Sequence, residues 1–238
     1  MSTQHIVIVG GSSGMGLASA KRLLDGGHQV TITGRRPAKL DQASQTLNGK
    51  VATAVMDAAD LQSIQSAFAQ IGAFDHLVLA LGSSKGVGPF ASVSMEEVRQ
   101  SFEEKVFPHF ATAQAALPFL AKHGSITFVA AVTAHAAMPG TAGIGAANAA
   151  VAALVPILAA ELRPLRVNAV SPGVIDTPWW NFLSDDQKIT LFDEYAAQTP
   201  VGRVGLPDDI AQAIAFLIAN GFMSGEVIVC DGGLRFGT

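Results

Sequence analysis

A chain of 238 residues is long for one average domain but within the range of an open α/β sheet that stays unsplit. Hydrophobic residues make up 49% and charged residues 14%, a composition that excludes a disordered chain and supplies a large core. The formal net charge of −4 gives no electrostatic reason to bind nucleic acid or an anionic membrane, so any anionic ligand must be held by a local site.

In chain order the sequence alternates short apolar runs with longer helical patterns. Strands are expected at 5–9, 29–33, 51–56, 76–81, 125–130, 166–170 and 227–229, and helices at 15–24, 38–47, 61–70, 96–120, 141–162 and 208–219. The strand runs are apolar almost throughout, as parallel strands covered on both faces are. Such alternation predicts a Rossmann-type, doubly wound sheet of seven parallel strands with helices on both faces, in one domain spanning 1–238. Two segments read as functional loops. One is 82–88; the other, 171–200, carries Trp179, Trp180, Phe182 and the only tyrosine, Tyr195, and is placed to cover a substrate.

Three features bear on location. Residues 6–9 are too short for the apolar region of a signal peptide and run straight into glycines. The Ala-rich stretch 143–160 holds Asn148 and Pro156 and lacks flanking basic anchors, so it reads as a buried or subunit-contacting helix and not a membrane span. Cys230 is the single cysteine, so no intrachain disulfide can form, as expected in a reducing cytoplasm. It sits in an apolar run and reads as a small buried filler. The histidines are scattered and no cysteine pair occurs, so no metal site is expected.

The first strand ends in Val9-Gly10-Gly11-Ser12-Ser13-Gly14-Met15-Gly16, and a helical pattern follows. Glycines there let the backbone turn tightly and approach a pyrophosphate, and the helix N-terminus presents free N–H groups to its charge. At the end of the second strand an NAD site usually has an acidic residue for the ribose 2′-hydroxyl. Here the residues are Thr33-Gly34-Arg35-Arg36. Guanidinium groups match a phosphate in charge and fork geometry, so Arg35 and Arg36 point to NADP(H).

With these motifs in place the chain resembles the short-chain dehydrogenase/reductase family over nearly its whole length. The Gly10-x-x-x-Gly14-x-Gly16 spacing is the family's. The resemblance makes Asp57 the aspartate that reads the adenine amine and Gly82 the glycine of the loop after the fourth strand. Pro172, Gly173, Val174 and Thr177 then fall in the family's Pro-Gly motif, which holds the nicotinamide carboxamide. Stretches 202–211 and 224–233 match its C-terminal signatures. The family protonates the substrate oxygen with a tyrosine, tuned by a lysine four residues on, beside a serine and an asparagine. By the same alignment these positions hold Ile144, Asn148, Ala131 and Lys105, so the catalytic tetrad reads as replaced. Losing one positioned acid typically costs about 10²- to 10⁴-fold, whereas holding donor and acceptor together is a separate contribution.

The substitutes for the missing acid are Lys105, which reads either as a cleft ammonium or as a solvated lysine after Glu103 and Glu104, and His135 just after the fifth strand. Thr133 and Thr141 carry nearby hydroxyls suited to orienting a substrate, and Tyr195 reads as a packing residue. Two functions stay open. One is an NADP(H)-dependent oxidoreductase acting on a small apolar carbonyl or activated alkene through a nonstandard proton source. The other is a catalytically inactive NADP(H)-binding regulator or scaffold. The resemblance also implies a homodimer or homotetramer assembled through the helices at 96–120 and 141–162.

Overall fold

The computed structural model describes residues 3–237. Seven strands, β1 (His5–Val9), β2 (Gln29–Gly34), β3 (Ala52–Val55), β4 (Phe74–Leu79), β5 (Leu120–Val129), β6 (Arg166–Pro172) and β7 (Val227–Cys230), form one sheet. All pairings are parallel, in the order β3-β2-β1-β4-β5-β6-β7. Seven α-helices accompany them: α1 (Gly14–Asp25), α2 (Pro37–Thr46), α3 (Leu61–Ile71), α4 (Met95–Ala116), α5 (Ala142–Glu161), α6 (Asp185–Gln198) and α7 (Pro207–Ala219).

The period-two geometry of a strand divides the core into two layers. Val7 and Val9 of β1 face a cluster with Ile64 and Phe68 of α3, Ala113 of α4 and Val151 of α5. Ile6 and Ile8 face the opposite cluster, with Ala20 and Leu23 of α1, Leu40 of α2 and Ile214 of α7. Both faces are therefore covered, which is why the strands carry almost no polar alternation. The Ala-rich α5 is the one helix among the described residues that is long and apolar enough to cross a membrane, and 44% of its apolar window is buried inside the molecule.

Strand order reverses between β1 and β4, and their carboxyl ends lie side by side, with Val9 opposite Leu79. In open α/β sheets the crevice at such a reversal is where ligands bind.

The segment 171–200 departs from the sequence expectation, because α6 occupies its second half. Ser184 and Gln187 form a reciprocal capping box, each side chain bonding the other's backbone N–H, which starts a helix without any amphipathic stripe. Boundaries shift elsewhere as well: β4 begins at Phe74, β5 at Leu120, and α4 ends at Ala116, where a short 3₁₀ turn takes over.

Candidate active site

The turn after β1 is held from below by β2. The N–H groups of Gly10 and Gly11 both donate to the carbonyl of Thr33, at 3.1 and 3.2 Å. Gly10 has φ +81, and a Cβ there would stand 2.5 Å from the carbonyl oxygen of Ala80. A Cβ at Gly16 would stand 2.3 Å from the carbonyl oxygen of Gly10. Helix and strand are thus packed backbone to backbone, which only glycine permits. Ser12, Ser13 and Met15 are half-buried around the turn. Ser13 is the N-cap of α1, yet its side chain caps no N–H, and no acidic residue sits in the first turn. The first N–H groups of α1 thus have neither an intrahelical nor a side-chain partner, the arrangement that accepts a phosphate. The chain's own residues fit a dinucleotide here.

Arg35 and Arg36 follow β2 and are exposed, Arg36 serving as N-cap of α2. Asp57 follows β3, half-buried, its carboxylate accepting from the N–H of Ala59 at 3.1 Å. A Cβ built on Gly82 meets no atom within 4 Å, so open space lies beside that residue. Pro172 is buried at the end of β6, and Gly173 and Val174 are half-buried after it. Thr177 is buried, and a Cβ at Gly14 would lie 3.3 Å from its side chain. The structure therefore brings the end of β6 directly across the mouth of the β1 turn.

The aromatic segment forms a cluster of its own. The rings of Trp179 and Trp180 meet edge to face at 4.6 Å, and Phe182, Phe192 and Tyr195 pack around them. The Trp179 indole N–H donates to the carbonyl of Ser83 at 3.1 Å, tying this cover to the loop after β4. Tyr195 lies on α6, and its phenol is pushed above the usual range by burial and by nearby Glu194, so it is a poor acid.

Lys105 is not a solvated lysine. It points from α4 into the protein, 4% exposed, on the same buried stripe as Ser101, His109 and Thr112. Its ammonium donates to the carbonyls of Leu81 and Val129, each at 2.8 Å, and reaches that of Ala130 at 3.5 Å. Burial lowers its pKa to about 7, since charge is disfavoured away from water. One turn along, His109 is likewise buried, and its ring contacts the carbonyls of Lys105 and Leu79. Its pKa is lowered to about 3 by burial and then by Lys105.

Ala131 is half-buried after β5, and His135 is exposed at the end of the short turn Val132–Ala134 that follows. Ile144 is 8% exposed, its N–H donating to the carbonyl of Gly86 at 3.1 Å, so the 82–88 loop closes over it. Asn148 is buried and donates through Nδ2 to Thr133 Oγ1 and to the Ile144 carbonyl, both at 3.0 Å, while its buried Oδ1 has no partner among the described residues. Sequence reasoning passed over Ser83 and Gly86, whose backbone carbonyls carry the contacts; no side-chain signal announces them. Cys230 is half-buried on β7, and burial raises its thiol pKa, leaving it a filler.

Known proteins share this architecture. A family profile described as enoyl-(acyl carrier protein) reductase matches residues 9–235. Dehydrogenase/reductase SDR family member 4 of Caenorhabditis elegans is 30% identical over 248 residues, covering 96% of this chain and 94% of that one. The chain belongs to the short-chain dehydrogenase/reductase family. Among solved members of that family, a small-chain dehydrogenase in complex with NADPH superposes at a TM-score of 0.86 with 31% identity, over 99% of this chain and all of the other. An apo short chain oxidoreductase from Pseudomonas aeruginosa, described as containing an atypical catalytic center, superposes at 0.88 with 26% identity, over 99% and 98%. The chain is accordingly an oxidoreductase-family member with the seven-stranded dehydrogenase/reductase fold.

Proposed function

We propose that this protein is an NADP(H)-dependent oxidoreductase that reduces a small apolar carbonyl or activated alkene without the family's usual acid. The observation that carries the reading is the uncapped N-terminus of α1, opening from the Gly10–Gly16 turn beside two exposed arginines and no carboxylate at the end of β2. A pyrophosphate would rest on the free N–H groups of α1, and a 2′-phosphate against Arg35 and Arg36. Asp57 would hold the adenine amine, Gly82 would border the adenosine, and Pro172, Gly173, Val174 and Thr177 would hold the carboxamide. Support comes from the NADPH held by a structural relative at 31% identity.

When bound, the reduced nicotinamide supplies hydride. The chain's own task is then to orient the acceptor, exclude water and deliver a proton. In this reading Ile144, Asn148, Ala131 and Lys105 stand where relatives use tyrosine, lysine, serine and asparagine. An isoleucine has no proton to give, so the substrate must tolerate a weaker acid. Reduction of an activated carbon–carbon double bond fits, because its enolate is protonated readily by solvent. The family profile's description as an enoyl reductase supports this. Lys105 is the proton reservoir we assign, half-protonated near neutral pH at the floor of the crevice. Exposed His135 is the second. Trp179, Trp180 and Phe182 would line the apolar side of the substrate pocket.

A second reading, a cofactor-responsive regulator or scaffold without turnover, is favoured by the side chains at positions 131 and 144, alanine and isoleucine, which have no proton to give. Assay of quinones, enones and dicarbonyls with NADPH separates the two. Turnover of any class above background supports the enzyme; none, together with tight NADPH binding, leaves the regulator. We also propose self-assembly into a homodimer or homotetramer, because α4 leaves Phe107 and Phe110 about half exposed and α5 leaves Ile157 59% exposed. Light scattering checks it, and a monomer at assay concentration would exclude it.

A further inference from the structure

We infer that Lys105 makes the site prefer the reduced over the oxidised dinucleotide, by holding a positive charge near the place where the nicotinamide ring acquires one. The inference rests on the NADP(H) reading above and concerns what Lys105 does to binding, not to turnover.

The geometry is specific. The Lys105 ammonium lies under the carboxyl ends of β4 and β5, bonded to the carbonyls of Leu81 and Val129. Leu81 immediately precedes Gly82, beside which space is open, and Val129 pairs with Val170 of β6, two residues before Pro172, which the reading above assigns to the carboxamide. Among the described residues Lys105 has no ion-pair partner. The groups around it do not compensate. His109 on the same helix is neutral, with its pKa lowered to about 3. The adjacent Glu104 is exposed and accepts from Ser83 Oγ at 2.7 Å. Towards the segments at the ends of β4 and β5 the ammonium donates to backbone carbonyls, the facing helix α5 carries no charged residue before Glu161, and His135 after β5 is exposed. A charge buried without a counter-ion acts at longer range than one at the surface, because neither solvent nor salt screens it well.

The nicotinamide ring is neutral when reduced and carries one positive charge when oxidised. With the reduced form, the ring sets no second positive charge beside the ammonium in that part of the crevice. With the oxidised form, two like charges would share it. The strain is relieved if Lys105 loses a proton to solvent, so that oxidised ring and neutral amine together carry one positive charge, as reduced ring and ammonium did. No bond in the dinucleotide changes; one N–H bond of Lys105 breaks and the proton passes to buffer. The hydrogen bonds tolerate this, since an amine keeps two N–H groups for the two 2.8 Å carbonyls and gives up only the 3.5 Å contact to Ala130. Binding of NADP⁺ should therefore release more protons than binding of NADPH.

The test is calorimetric titration of the full chain at pH 7 with NADPH and with NADP⁺, in two buffers of different ionisation enthalpy. With half of Lys105 protonated at that pH, NADP⁺ should release up to about half a proton more per site than NADPH. The 2′-phosphate is common to both ligands, so its titration cancels in the difference. In Lys105→Gln, whose amide still donates to the carbonyls, the extra release should vanish. The ratio Kd(NADP⁺)/Kd(NADPH), measured at pH 6.5, should fall about tenfold, equivalent to about 1.4 kcal/mol. Equal proton counts in the unsubstituted protein overturn the inference even if the variant does not fold. An unchanged ratio in a folded variant overturns it too. Failure of both nucleotides to bind refutes the cofactor reading itself and is recognisable as such.

Discussion

Two glycines separate what the fold needs from what the ligand needs. At Gly16 a Cβ would sit 2.3 Å from the Gly10 carbonyl oxygen and 3.0 Å from both the Gly10 carbonyl carbon and Gly11 Cα. Reaching an ordinary contact requires the turn to open by about 1 Å. It cannot give freely, because Gly10 and Gly11 are both tied to the Thr33 carbonyl and Gly10 already abuts Ala80. Overpacking of this kind costs about 1–3 kcal/mol and a strained hydrogen bond about 1 more. In a domain of this size each kcal/mol moves Tm by about 2–4 °C, so Gly16→Ala should melt roughly 5–15 °C lower. At Gly82 a Cβ meets nothing within 4 Å and the backbone lies outside the left-handed region. Gly82→Ala should therefore leave Tm unchanged or raise it slightly, since alanine restricts the unfolded chain by about 0.4–1 kcal/mol. If the dinucleotide passes along that open space, the same methyl should weaken NADPH binding by about tenfold or more. Thermal melts and NADPH titration of both variants read the two effects apart. Wild-type affinity in Gly82→Ala would mean that no ligand runs past this loop; an unchanged Tm in Gly16→Ala would mean that the turn is looser than its contacts imply.

Arg35→Ala should weaken NADPH by about tenfold while leaving NADH nearly unchanged, as expected for a lost charge-assisted hydrogen bond to a phosphate; equal losses for both would remove the 2′-phosphate assignment. Acid should destabilise the fold through two buried histidines. His76 is lowered to about 4 and His109 to about 3, each chiefly by burial, so below pH 6.5 the unfolded chain binds more protons than the folded one. Their contribution is intact above pH 6.5 and is lost as pH falls towards 4 and 3, reaching about 5 kcal/mol by pH 4.5. Urea midpoints at pH 7.5 and 4.5 should show this fall, reduced in a His76→Gln, His109→Gln variant; an identical fall in that variant would assign it to the carboxylates. Ala131→Ser, Ile144→Tyr and Asn148→Lys together should produce NADPH-dependent carbonyl reduction. A folded, cofactor-binding but silent triple variant would show that the backbone closing over position 144 has reshaped the pocket.

The architecture was readable because parallel strands buried on both faces announce themselves as apolar runs; six of the seven were placed to within two residues of their ends, and β5 starts five residues earlier than expected. The close packing of the β1–α1 turn was equally readable, since its glycines are dictated by backbone clearance and not by side-chain chemistry. Two things were concealed. Helix α6 carries no amphipathic stripe, and its start is encoded only by the Ser184–Gln187 box, which the surrounding aromatic residues obscured. Lys105 was hidden more deeply. Its neighbours Glu103 and Glu104 are exposed and make the stretch look solvated, while the buried stripe of α4 runs through Ser101, Lys105, His109 and Thr112, polar residues that no hydrophobic pattern marks. The partners of Lys105, and of one ring nitrogen of His109, are backbone carbonyls in or just after distant strands, and no local signal in a sequence reveals such a partner.

The central claim is that a phosphorylated nicotinamide dinucleotide binds at the β1–α1 turn. Fluorescence titration of the purified protein with NADPH and NADH tests it most directly. Saturable binding of one NADPH per chain, about tenfold or more tighter than NADH, is the predicted result. A folded protein that takes up neither nucleotide would contradict it.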